Sequence, residues 1–298
     1  MFELRMRSGG IAGLGLLACA GLMLVTLKVG AQIPALLILP AVVMAVVGAA
    51  VVLLLAVCGS KPATIAFLFV LVFVNDALFR VRDPSDIGLD WQNGMKFALW
   101  AGAAAIGVGQ LARSWPRLRT GRMTLILVWL GIGLVSSIYS ASATYSFSTA
   151  FGVLGMLLLS AGMAEVLTEK QTLLTVALSL CVFVVAGWVT YFAIPDLGRS
   201  PFITADGSIV ERICGLAGQA NALGCSLAVL LAAVFLLWYR GHCGLLVLAP
   251  MGLIGIVTLL WADSRTALLA FLIGAAAVIA RRSLWRWGSA LLAGTLGV

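Results

Sequence analysis

Two arginines, Arg212 and Arg265, stand at the edges of long apolar segments and are the residues best suited to chemistry in this chain. An arginine is costly near hydrocarbon, so one that is kept there commonly meets an anion or a carboxylate. We predict that each stands at or just before the start of a helix, where free N–H groups and the helix dipole favour negative charge. The pair therefore predicts a diphosphate-binding site, with both arginines on the same side of a membrane.

Arg265 follows Asp263 and Ser264, and either of these can cap the helix that begins there. In a first turn, an arginine opposes the helix dipole at a cost of about 0.3–1 kcal/mol, and a bound anion would reverse that cost. The alternatives are an Asp263–Arg265 turn pair or a side chain that simply extends to the membrane interface.

Arg212 precedes a glycine-rich stretch over 215–224, in which Gly215 lets the backbone approach a ligand and Asn221 adds a donor at the next helix start. The alternative pairs Arg212 with Glu211 and assigns the glycines to helix packing. The stretch is neither a dinucleotide-binding fingerprint nor a P-loop, because no preceding strand or GK[ST] element is present.

Composition indicates the class of protein. The chain is 62% hydrophobic and 10% charged, whereas a soluble domain carries roughly 25% charged residues. We therefore predict a polytopic all-α integral membrane protein in one domain, 1–298, with about 10–11 transmembrane helices. The spans are expected at about 11–28, 34–57, 63–79, 95–112, 123–140, 148–166, 172–193, 220–239, 244–261, 265–280 and from 287 onward.

The net charge of +8 does not indicate nucleic-acid binding, because its lysines and arginines fall in short loops between apolar runs. Their clusters place the N-terminus in the cytoplasm, with Arg212 and Arg265 on the outer face. The scattered cysteines predict neither a disulfide framework nor a zinc site. Cys214, beside the proposed site, is read as a packed small residue.

Other polar residues carry weaker predictions. His242 lies in a short inner loop, so no serine–histidine or cysteine–histidine arrangement is expected. Asn75 and Asp76 are either interfacial or line a cavity. A third group consists of Asp83, Asp86 and Asp90. We interpret it as part of a solvated loop rather than a divalent-cation site, and no metal or cofactor is predicted.

The final predicted span, from about Trp287 to Val298, is too short to cross a hydrocarbon core of about 30 Å. We therefore expect the chain to be a fragment of a longer protein.

The order Arg212, Gly215, Asn221-Ala-Leu-Gly224 and then Asp263-Ser264-Arg265-Thr-Ala resembles the O-antigen ligase and polymerase family. The resemblance covers roughly 113–298. It implies a GT-C-like fold and a metal-independent glycosyltransferase of the bacterial inner membrane, acting in lipopolysaccharide biosynthesis. The donor would be a glycan on undecaprenyl diphosphate, and the acceptor would be lipid A-core or another glycan.

By the same resemblance, Arg212 and Arg265 would hold the diphosphate, supported by Gly215, Asn221 and Ser264. The histidine expected to activate the acceptor hydroxyl would lie in a periplasmic loop beyond residue 298, so no catalytic base is assigned here, and the fragment alone is expected to be inactive. The alternative functions are a transporter or flippase for an amphipathic anion, which predicts a midplane site between inverted repeats, and a scaffold subunit without chemistry.

Overall fold

The computed structural model describes residues 48–78, 91–113, 128, 131–140, 143–203 and 207–295. The first predicted span at 11–28, the cytoplasmic N-terminus and the aspartates at 83, 86 and 90 lie outside these residues.

The described part of the chain is mostly helical. Its principal helices are α1 (Gly48–Val57), α2 (Lys61–Asp76), α3 (Trp91–Arg113), α4 (Ala143–Val166), α5 (Glu169–Ala193), α6 (Ala220–Tyr239), α7 (Leu245–Trp261) and α8 (Arg265–Thr295). Within the described ranges, four helices (α3 to α6) are long and apolar enough to cross a membrane. This finding supports the predicted helical class and indicates membrane association. The total of ten or eleven spans and the GT-C-like architecture stay predictions.

The chain divides into two compact units, residues 1–75 with 82–175 and residues 76–81 with 176–298. In the first unit, α3 and α4 approach closely at glycines. A Cβ on Gly155 would lie 2.6 Å from the Trp100 carbonyl oxygen, and one on Gly162 would lie 3.0 Å from the Gly107 Cα. Small residues allow this backbone approach in apolar helix pairs.

In the second unit, α6 packs against both α7 and α8. Leu223, Leu227 and Leu230 of α6 are almost fully buried there. The start of α6, the end of α7 and the start of α8 share one end of this bundle, which we call the arginine end. The turn from α6 to α7, residues 240–244, forms the opposite end.

The segment 194–219, between the predicted spans 172–193 and 220–239, contains a β-hairpin. Strand β1 (Arg199–Ile203) pairs antiparallel with β2 (Ile209–Ile213), and Ser200 lies opposite Arg212. The strands are too short to be recognised in a hydropathy pattern that long apolar segments dominate. The β-branched residues of Ile209–Ile213 nevertheless favour extended structure. The hairpin is a small departure from the predicted all-helical fold.

The predicted break between spans 265–280 and 287 onward is wrong, because α8 runs without interruption over 31 residues. Arg281, Arg282 and Arg286 interrupt the apolar pattern, but arginine is a good helix former. Neither glycine nor proline occurs between Arg281 and Trp287 to end the helix. At 1.5 Å per residue, α8 is about 46 Å long, more than the core of about 30 Å.

Candidate anion-binding site

The predicted site residues come together at the arginine end of the second unit. The β-hairpin carries Arg212, the first turn of α6 carries Asn221, and the turn from α7 to α8 leads through Ser264 to Arg265. The guanidinium of Arg212 reaches the α7–α8 turn, so residues 50 positions apart in sequence are in contact.

Arg212 does not stand at a helix start, and that prediction is wrong. It lies on β2, and its guanidinium caps the carboxyl end of α7. Its Nε and Nη2 donate to the Ala262 carbonyl oxygen at 2.8 and 2.5 Å, and Nη2 also donates to the Asp263 carbonyl oxygen at 2.9 Å. The last carbonyls of a helix have no partner within the helix and form the negative end of its dipole. The hairpin folds back and supplies the missing donors.

One side of the Arg212 guanidinium remains open. Among the described residues, its Nη1 has no hydrogen-bond partner, and its contact with Asn221 Oδ1 is long, at 3.5 Å. The Phe202 ring lies beneath the guanidinium, with its centroid 5.2 Å from Cζ. The alternative pairing with Glu211 does not form, because that carboxylate accepts from Arg199 Nη1 at 2.8 Å.

Arg265 is the first residue of α8, as predicted. Its side chain is 90% exposed, and its contact with Asp263 Oδ1 is 3.4 Å from Nε. That distance exceeds the usual 2.7–3.2 Å range of an N–H···O bond. The alternative turn pair is therefore present but weak, and both Nη groups of Arg265 are without a partner in the described part of the chain.

Gly215 and Ser264 have packing roles in this site. Gly215 has φ +52°, and a Cβ there would lie 2.7 Å from the Gly187 Cα of α5. Ser264 is 5% exposed, and its Cβ would lie 2.5 Å from a Cβ added to Gly224. Its carbonyl accepts from the Leu268 N–H at 3.1 Å, which places Ser264, rather than the alternative Asp263, at the N-cap position of α8. Both residues therefore pack closely against neighbouring helices next to the arginines in sequence.

Among the described residues, none of the other polar candidates bonds to Arg212 or Arg265. His242 is in the turn at the opposite end of α6 from Arg212. Asp76 accepts from Ser226 Oγ at 2.5 Å, and Asn75 accepts from Trp100 Nε1 at 3.0 Å. Within the described residues, no group of three histidine, cysteine or acidic side chains is placed to hold a metal ion.

Cys214 is a packed small residue, as predicted. It is 1% exposed, and its Sγ donates to the Leu197 carbonyl oxygen at 3.4 Å. Burial raises the pKa of the Cys214 thiol to about 11. A thiol that stays protonated at neutral pH is a poor nucleophile, so Cys214 is not an activated cysteine.

Sequence reasoning missed an aromatic cluster beside the arginines. Trp188, Tyr191 and Phe192 occupy positions i, i+3 and i+4 of α5, and Trp188 and Tyr191 contact Trp261, the last residue of α7. The spacing on α5 was a usable signal for one aromatic face. The contribution of Trp261, about seventy residues later, had no local signal.

No family model matches this chain, and neither a curated protein nor a solved structure matches it. The resemblance to the O-antigen ligase and polymerase family therefore stays a prediction that rests on the motif residues themselves.

Proposed function

We propose that the arginine end binds the diphosphate of a lipid-linked glycan, and that the protein is an O-antigen ligase-like glycosyltransferase. The donor is a glycan on undecaprenyl diphosphate at the periplasmic face of the inner membrane. The acceptor is lipid A-core or another glycan.

The observation that carries this proposal is that, among the described residues, both arginines have guanidinium N–H groups without a partner at the arginine end. In the described part of the chain, no carboxylate pairs with Arg212, whose partners are backbone carbonyls with only partial charges. Arg265 is nearly fully exposed and only weakly paired. Two cations so close to apolar helices favour an anion as counter-ion.

The chemistry of a diphosphate fits the available donors. A guanidinium presents N–H groups in a planar fork that matches phosphate oxygens, and such charged hydrogen bonds are stronger than neutral ones. Arg212 is held in place by α7, so little rearrangement is needed when an oxygen meets its open side. Arg265 can turn toward a second phosphate oxygen because its side chain is exposed.

In the proposed reaction, an acceptor hydroxyl attacks the anomeric carbon with inversion, the bond from that carbon to the diphosphate oxygen breaks, and the hydroxyl proton is released to solvent. Negative charge then develops on the departing diphosphate. Arg212 and Arg265 stabilise that charge, and donors already aimed at developing charge are among the strongest contributors to catalysis.

The test measures binding of undecaprenyl diphosphate to the protein in lipid nanodiscs, with Arg265→Ala as the main variant. Because Arg265 is exposed, the variant should fold normally, and we expect its Kd to rise about tenfold, equivalent to 1.4 kcal/mol. The Kd of Arg265→Lys should lie between those of the wild type and Arg265→Ala, because an ammonium group lacks the planar arrangement of donors.

The matched control is Arg240→Ala, which removes an exposed arginine from the opposite end of the bundle. Its affinity for undecaprenyl diphosphate should equal that of the wild type. Equal affinity for wild type and Arg265→Ala would contradict the proposal.

A further inference from the structure

The aromatic cluster adjoins the arginine end through direct contacts. Trp261 immediately precedes Ala262, whose carbonyl oxygen accepts from Arg212 Nε at 2.8 Å. The ring centroids of Trp188 and Tyr191 lie 5.3 and 6.1 Å from that of Trp261. A ligand held by the two arginines would therefore have these rings beside it.

The cluster is built rigidly on its buried side. Trp188 Nε1 donates to Thr258 Oγ1 at 2.9 Å, which fixes the indole between α5 and α7. Its contacts with Tyr191 and Trp261 are edge-to-face, an arrangement that aromatic pairs prefer. The rings consequently form a preformed surface.

The other side of the cluster is open. Trp261 is 48% exposed and Phe192 is 67% exposed. In the described part of the chain, neither the Trp261 indole N–H nor the Tyr191 hydroxyl has a hydrogen-bond partner. The cluster thus offers exposed ring surface together with unused polar groups.

A charged rim borders the rings. The guanidinium of Arg199 lies 4.8 Å from the Tyr191 ring centroid and pairs with Glu211 at 2.8 Å, and the Glu211 side chain is 55% exposed. Guanidinium N–H groups donate and carboxylate oxygens accept, so this pair can bind hydroxyl groups in both directions.

We propose that this aromatic cluster is a sugar-binding subsite that receives a pyranose ring of the lipid-linked glycan, an inference that rests on the proposed function. The C–H face of a pyranose carries partial positive charge and packs on the negative face of an aromatic ring. Its hydroxyls project at the ring edge, where they meet the Arg199–Glu211 pair and the open donors. Scattered tryptophans at helix ends anchor proteins at a membrane interface, but here four rings from two helices converge beside charged hydroxyl-binding groups.

The experiment compares two ligands in nanodiscs: undecaprenyl diphosphate alone, and the same lipid carrying one N-acetylglucosamine. For the wild type, we expect the sugar to lower Kd about fivefold to tenfold through stacking and hydrogen bonding. Trp261→Ala should bring the ratio of the two Kd values close to one and leave binding of the bare lipid unchanged. Trp261→Phe should give a ratio of the two Kd values between those of the wild type and Trp261→Ala.

Trp238→Ala is the matched control, since it removes a 53% exposed tryptophan near the other end of α6. It should keep the full ratio. A wild-type ratio in Trp261→Ala would overturn the subsite, and so would equal weakening of both ligands, the result expected of a membrane anchor. Failure of the proposed function is separately visible, because it appears as unchanged binding of the bare lipid by Arg265→Ala.

Discussion

Two turns reverse the chain in the second unit, and they are held in different ways. The α6–α7 turn has Gly241 in the left-handed region, with φ +70°. The Gly241 N–H donates to the Trp238 carbonyl oxygen and the His242 N–H donates to that of Leu237, both at 2.9 Å. This pattern of bonds around a left-handed glycine is the Schellman motif, and every member of it lies within six consecutive residues.

The α7–α8 turn places Asp263 in the corresponding position, with φ +47°. A residue with a side chain is more strained in that conformation than glycine, although aspartate tolerates the left-handed region better than most other residue types. Two carbonyl groups of this turn, those of Ala262 and Asp263, accept from Arg212 on the β-hairpin. The turn is thus stabilised by a residue that is distant in sequence.

The comparison shows how a structural contact and a candidate ligand contact coexist in Arg212. One side of the guanidinium bonds the carbonyls of Ala262 and Asp263, which the local backbone bond from the Asp263 N–H to the Leu260 carbonyl oxygen does not satisfy. The other side has no hydrogen-bond partner among the described residues. In the α6–α7 turn, the bonds around Gly241 come from backbone groups of the turn itself, and this turn lies away from the proposed site.

The largest expected effect comes from Arg212→Ala. It removes three charged donor contacts from the end of α7, and we expect it to lower the free energy of unfolding by about 2–3 kcal/mol. Arg212→Lys should retain only part of the lost stability, because a single ammonium cannot reproduce the planar set of donors of a guanidinium. Thermal unfolding in detergent measures both variants.

Arg240→Ala is the comparison variant for the other turn and should cost less stability than Arg212→Ala, because the bonds around Gly241 are formed by backbone groups. If Arg212→Ala and Arg240→Ala unfold at the same temperature, the two turns do not differ as described.

A second, smaller effect is expected from Gly224→Ala, which forces the start of α8 away from α6. The added Cβ would lie 2.5 Å from the Ser264 Cβ and 3.2 Å from the Ala267 Cβ. Overpacking of this kind costs about 1–3 kcal/mol. The same unfolding measurement applies.

The matched control is Gly252→Ala in α7, where the nearest atom, Val234 Cγ1, is 3.7 Å away. It should be neutral or stabilising by up to about 1 kcal/mol, because alanine favours helix over glycine. A Gly224→Ala variant as stable as Gly252→Ala would rule out the close contact.

The smallest effect concerns the left-handed residues themselves. Gly241→Ala should destabilise by about 1 kcal/mol, because it places a side chain at positive φ. Asp263→Gly should raise the free energy of unfolding by about 0.5 kcal/mol, because it relieves that strain. A loss of stability in Asp263→Gly would indicate that the aspartate side chain contributes more than its backbone strain costs.

Much of the helical framework is predictable from local pattern. The prediction for α6, 220–239, coincides with Ala220–Tyr239, and the predicted start of α8 at Arg265 is confirmed. The length of an apolar run predicts the bounds of such helices, because each buried apolar side chain adds to the stability of the spanning segment. The same reasoning failed at Arg281, where charge interrupts hydropathy without ending the helix.

The sequence by itself determined an apolar helical chain associated with a membrane, and it singled out Arg212 and Arg265 as its most unusual cations. Only the tertiary structure decided which groups Arg212 contacts. It also decided that Ser264 packs closely against Gly224 and that Trp261 contacts the aromatic rings of α5. The physical reason is one of range. Helix formation and membrane burial depend on neighbours a few positions away, whereas the partner of a guanidinium depends on where a hairpin folded 50 residues earlier comes to lie.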